Sequence, residues 1–314
     1  METKKMNNKN QIKVKSQKQI EKSALIVSSI VNLIMSGAGI LVFCLTGLQA
    51  LFLDAFFSFV AFLSNIMALI FAKVSSKKSS AYPTGKYFLE PLYGIIKSIL
   101  VLFLLVFSLV QTIGTAYDYF ALGLGETINI TPVLPYSILM VVMCFSLSYF
   151  NKKQNAKINN ASTMLLAECK SNMVDGIISA GVGILIALLL LVDINGPLGF
   201  LHYTGDFFIT TILVIISIKE PIILFGISLR EISGATIKDE KIKRTIREIV
   251  RKEIKEENLE NRFEVYKIGK HIKVVILLND IPDTEILTRI KGDTLKEIKE
   301  KFDDVSLEYV LRKI

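Results

Sequence analysis

The chain is 314 residues long, 51% apolar and only 21% charged, with a mean hydropathy of +0.48. A soluble domain carries about a quarter charged residues, and here the apolar excess is concentrated between residues 23 and 232, with polar, charge-rich segments on either side. These features exclude an ordinary water-soluble enzyme, a disordered chain and a fibrous protein. The net charge of +8 does not indicate a nucleic-acid partner. Residues 235–314 hold 19 Lys and Arg against 17 Asp and Glu, too even a balance for a phosphate-binding face. Cys44, Cys144 and Cys169 all fall in apolar stretches without a CxxC spacing, which argues against a disulfide framework or a cysteine zinc knuckle.

Residues 1–22 form a basic N-terminal segment with seven lysines and no apolar run, unlike a secretory signal. Six apolar segments follow, at 23–45, 50–72, 91–116, 133–150, 162–192 and 206–228. Each approaches the ~20 residues that cross a bilayer as a helix, so 23–232 reads as a six-helix transmembrane domain. Lys73, Lys77, Lys78 and Lys86 follow the second segment, and Lys152, Lys153 and Lys157 follow the fourth. The loops 46–49, 117–132 and 193–205 contain neither Lys nor Arg. This asymmetry predicts a multi-pass plasma-membrane protein with both termini cytoplasmic.

Residues 235–314 read as a cytoplasmic α+β domain in the order α-β-β-α-β. Lys238–Leu259 carries helical periodicity, Arg262–Tyr266 and His271–Leu278 are β-rich around a Gly269-Lys270 turn, Thr284–Phe302 is helical, and Val305–Leu311 alternates as a strand. A domain this small buries little by itself. It is therefore expected to pair with a second copy or to pack against the membrane domain.

Ionisable residues inside membrane spans cost about 2.5–3.5 kcal/mol each on insertion scales and usually mark function. The second span places Asp54, Ser58, Ala61 and Asn65 along one narrow seam, and the fifth carries Glu168, Ser171, Asn172 and Asp175. Two helices that each offer a carboxylate beside small polar groups can converge on one divalent cation. Asp206, near the start of the sixth segment, reads more readily as an interface residue. Lys219 and Glu220 precede Pro221, where the sixth helix is expected to kink or emerge.

These segments resemble the cation diffusion facilitator (cation efflux) family. Leu53-Asp54-Ala55-Phe56-Phe57-Ser58 is similar to that family's DxxxD helix, and Tyr82-Pro83-Thr84-Gly85-Lys86-Tyr87-Phe88-Leu89-Glu90 resembles its H-P-F-G-H-G-R-x-E loop. Ala167–Gly176 resembles its HxxxD helix, with Ser171 and Asp175 at the two ligand positions. The resemblance implies a homodimeric exporter that trades a cytoplasmic divalent metal for protons at a site between spans two and five. It also implies a ferredoxin-like C-terminal dimerisation domain. Asp54, Ser58, Ser171 and Asp175 would hold the ion, with Glu168 as a further ligand or support and Asn65 and Asn172 as supporting groups.

Ser58 and Ser171 stand where the family carries an acid and a histidine, and Tyr82 and Lys86 replace both loop histidines. The site would thus lack imidazole, favouring Mn²⁺, Fe²⁺ or Mg²⁺ over zinc. The transported ion is substrate, with no prosthetic group implied. The shortened ligand set also motivates an alternative, a degenerate transporter serving as a membrane-anchored dimeric scaffold or sensor. No HExxH, nucleophile elbow or phosphate loop supports an enzyme.

Overall fold

The computed structural model describes residues 2–127, 129, 131–158, 162–255, 261–278, 284–302 and 304–311. Among them, six helical segments are long and apolar enough to cross a membrane: Gln19–Thr46, Gln49–Phe71, Leu89–Leu122, Val133–Lys157, Met164–Leu189 and Leu201–Ile232. The first lies within α1 (Glu2–Thr46), which continues through the lysine-rich segment because Lys, Gln and Glu are good helix formers whatever their polarity. Gly47, at φ +72°, ends α1 with its N–H on the Phe43 carbonyl at 2.7 Å, a left-handed cap that suits glycine. Then come α2 (Gln49–Val74), α3 (Leu89–Leu122), α4 (Val133–Lys157) and α5 (Thr163–Leu190). Ser162 caps α5 by accepting the Leu165 N–H at 3.1 Å.

The sixth span is α6 (Leu201–Ser217) followed by α7 (Lys219–Ile232), divided at Ile218. Pro221 has no N–H to return to the Ser217 carbonyl, which accounts for the break. This span begins before the expected residue 206 and places Asp206 inside a helix.

The chain divides into two compact units, 1–70 with 100–220, and 71–99 with 221–314. Within the first, α4 and α5 pack closely through glycine. A Cβ on Gly176 would lie 3.1 Å from the Cys144 Cβ, and one on Gly183 would lie 3.0 Å from the Ser137 Cβ. The main core of this unit gathers Met35, Leu51, Val133, Met140, Ile186 and Leu213. Leu41, Phe103, Ile184 and Ile215 are largely exposed. Apolar exposure of this kind suits lipid contact.

In the second unit, α8 (Glu240–Lys255), β1 (Asn261–Ile268), β2 (His271–Leu278), α9 (Thr284–Lys301) and β3 (Asp304–Leu311) follow the expected α-β-β-α-β order. Residues 256–259 of the first expected helix lie outside the described residues. The three strands form one mixed sheet with β2 central, antiparallel to β1 and parallel to β3. Ile272, Val274, Ile276 and Leu278 alternate along β2 and pack with Ile246, Val250, Ile290 and Ile298 from the two helices.

The 75–88 loop belongs to this second unit. The Tyr87 ring stacks on His271 at 4.8 Å, and its hydroxyl donates to Asp304. Burial, then the Asp304 carboxylate, hold the Tyr87 phenol above its ordinary range, so it stays a donor. His271 also contacts Asp304 at 3.3 Å and Ser306 at 2.9 Å. Gly269 is required at the β1–β2 turn on two counts. Its φ is +58°, and a Cβ there would lie 2.8 Å from the Tyr87 carbonyl oxygen.

Candidate functional site

The site is built on α2 and α5, whose polar residues recur at four- and three-residue intervals. Asp54, Ser58, Ala61 and Asn65 share one face of α2, and Glu168, Asn172, Asp175 and Ser179 share one face of α5. Hydrogen bonds join these faces at both ends. Ser179 donates its hydroxyl to Asp54 at 3.1 Å, and the Asn65 amide donates to Glu168 at 3.1 Å. Asp54 and Asn65 are eleven residues apart, as are Glu168 and Ser179, but the order is reversed. The helices therefore run antiparallel in a fixed register, with Ser58 level with Asp175 and Ala61 level with Asn172. With ~1.5 Å rise per residue, the two bonds are about 16 Å apart along the axes.

Asp54 is buried and receives a hydroxyl on each oxygen, Tyr136 on Oδ2 at 2.8 Å and Ser179 on Oδ1 at 3.1 Å. Hydroxyl donation to a carboxylate compensates for part of the cost of removing it from water. Gly39 makes room for this arrangement. A Cβ there would lie 2.6 Å from both the Ala55 Cβ and the Tyr136 hydroxyl. Cys144, buried on α4, is within electrostatic reach of both Asp54 and Asp175. Ser58 and Asn65 are buried, and Glu168, Ser171 and Asp175 are half-buried. Asn172 is 1% exposed, and neither its oxygen nor its nitrogen has a hydrogen-bond partner. Among the described residues, no three or more His, Cys, Asp or Glu side chains are grouped to hold a metal. A cation held here would need hydroxyl and amide oxygens as well as carboxylates.

The family model for the cation efflux transmembrane domain matches residues 25–233, spanning all six helices. The chain belongs to the cation efflux family. As a member of that family with six membrane-capable helices, it is an integral membrane cation transporter. Among curated proteins, no relative matches it. Every site residue expected from the cation efflux resemblance lies on α2 or α5, and the register brings Asp54, Ser58 and Asn65 opposite Ser179, Asp175 and Glu168. Ser171 lies about 80° round α5 from Ser179, on the flank of the facing surface.

Asp206 has a structural role. Its carboxylate accepts the backbone N–H groups of Gln49 at 2.8 Å and Ala50 at 3.1 Å, and the Thr210 hydroxyl at 3.1 Å. It caps the start of α2 from another helix, where a negative charge also favours the helix dipole. Cys169 is engaged elsewhere, with the Ser148 hydroxyl 3.4 Å from its sulfur.

Two features are not evident from the sequence alone. Tyr136 is one, because an aromatic in an apolar span ordinarily reads as core. On α1, Ser28, Asn32 and Ser36 are buried at four-residue intervals, and Ser28 donates to Asn151 of α4 at 2.9 Å. That spacing could have identified the second polar seam.

Proposed function

We propose that this cation efflux protein exports a divalent metal from the cytoplasm in exchange for protons, through a site between α2 and α5. The observation that carries the reading is the antiparallel register, which brings Ser58 level with Asp175 one helical turn from the Asp54–Ser179 bond. Asp54, Ser58 and Asp175 supply the principal oxygens. Glu168 supports the site from the level of Asn65, and Ser171 contributes from its flank.

Two carboxylates balance a divalent charge, and a set of oxygens without imidazole favours Mn²⁺ or Fe²⁺ over zinc. Ligand carboxylates must be deprotonated, so metal and protons compete for the same groups. As the helices open first to one side and then to the other, that competition becomes exchange. The lysine distribution supports cytoplasmic termini in the plasma membrane. The α-β-β-α-β tail supports a ferredoxin-like domain that pairs two copies.

Proteoliposomes with an imposed pH gradient and a panel of divalent ions test this. Mn²⁺ or Fe²⁺ movement should dissipate the gradient and disappear in Asp175→Ala. A protein that dimerises but moves no ion would instead be a membrane-anchored scaffold.

A further inference from the structure

We infer that Asn172, rather than Ser171, is the α5 side chain that completes the coordination of the transported cation with a neutral amide oxygen. This rests on the α2–α5 site proposed above and reassigns one of its ligands. Glu168 and Ser179 both reach α2 through side-chain hydrogen bonds, so the surface between them faces α2. Asn172 lies about 20° beyond Ser179 at the edge of that surface, and Ser171 lies about 60° beyond Glu168 on its other side.

The register sets Asn172 level with Ala61, the smallest residue of the α2 seam, one turn from the level shared by Ser58 and Asp175. There the Asn172 side chain is 1% exposed, with both polar atoms buried and unpartnered. A buried polar group without a partner is costly, and native proteins seldom retain one without a use. A divalent ion supplies the missing partner. The amide oxygen adds a hard, uncharged donor to the carboxylate of Asp175 and the hydroxyl of Ser58, a donor set that suits Mn²⁺ better than zinc. The nitrogen remains for a water that the ion retains.

The experiment titrates purified full-length protein with Mn²⁺, followed by electron paramagnetic resonance, in wild type, N172A, N172D and S171A. Thermal unfolding without metal is measured alongside. N172A should weaken Mn²⁺ binding about tenfold or more, S171A less than about threefold, and N172D should restore binding, judged against the ~10–100-fold scale of changes around metal sites. Metal-free N172A should unfold at or above the wild-type temperature, because two unpaired buried atoms are removed. Unchanged binding in N172A, with wild type binding Mn²⁺, removes Asn172 alone from the site. Loss falling on S171A overturns the reassignment, and a lower unfolding temperature in N172A makes the residue a packing element. If wild type binds no Mn²⁺, the site itself falls and this ligand with it.

Discussion

Asp206→Ala should destabilise the membrane domain without directly altering the cation site. The Asp206 carboxylate accepts two backbone N–H groups at the start of α2, at 2.8 and 3.1 Å. Loss of an N-terminal cap costs about 0.5–2 kcal/mol in general. Hydrogen bonds to a charged acceptor are stronger, at about 1.5–3 kcal/mol, and two N–H groups would lose theirs together. The dipole contribution reaches about 2 kcal/mol in partly buried settings. Against these stands the desolvation of Asp206 itself, which the substitution relieves. The balance is a net loss of about 3 kcal/mol, and Asp206→Asn, which retains one acceptor oxygen, should lose about 1 kcal/mol.

At roughly 2–4 °C per kcal/mol for a chain of this size, Asp206→Ala should unfold about 6–12 °C below wild type. Thermal unfolding of purified protein in detergent, alongside Mn²⁺ affinity, is the assay. An unfolding temperature within about 2 °C of wild type would refute the capping account on that scale. So would intact stability combined with lost Mn²⁺ binding, which would make Asp206 a ligand.

Tyr136→Phe removes one of the two hydroxyls on Asp54. If that hydroxyl competes with the cation, the variant should lower KM for Mn²⁺ uptake and lower kcat as well, because release loses the donor that reclaims the carboxylate; a rise in KM alone would indicate simple loss of structure. Gly39→Ala should force apart the Ala55 Cβ and the Tyr136 hydroxyl, each 2.6 Å from the new Cβ. Overpacking costs about 1–3 kcal/mol, offset by about 1 kcal/mol of helix propensity, so transport should suffer more than stability; normal uptake rates would show that the junction yields freely. Tyr87→Phe removes the donor to Asp304 while keeping the ring on His271. Amide hydrogen exchange over 75–88 should quicken, and unchanged protection would mean that stacking alone holds the loop.

The six spans were legible from apolar run length because the bilayer imposes one length scale on every crossing helix. The strand His271–Leu278 was legible to the residue because a glycine turn precedes it and its alternation survives burial. The start of α1 was not, since apolar content marks where a helix meets lipid and says nothing of where the helix begins. Asp206 was ambiguous because its partners lie 156 and 157 residues away, and no local pattern predicts a cap supplied by another helix. On α2 the polar seam was legible from helical spacing. On α5 the same spacing admits more than one face, and the bonds from Asn65 and to Asp54 are needed to select the one that holds Asn172.

The central claim, one cation gripped between Asp54 and Asp175, is tested most directly by Mn²⁺ binding to the purified protein, wild type against Asp54→Ala and Asp175→Ala. The account predicts one saturable site per chain, weakened in each variant beyond the ~100-fold upper end of supporting-residue effects. Wild-type affinity retained in both variants would contradict it.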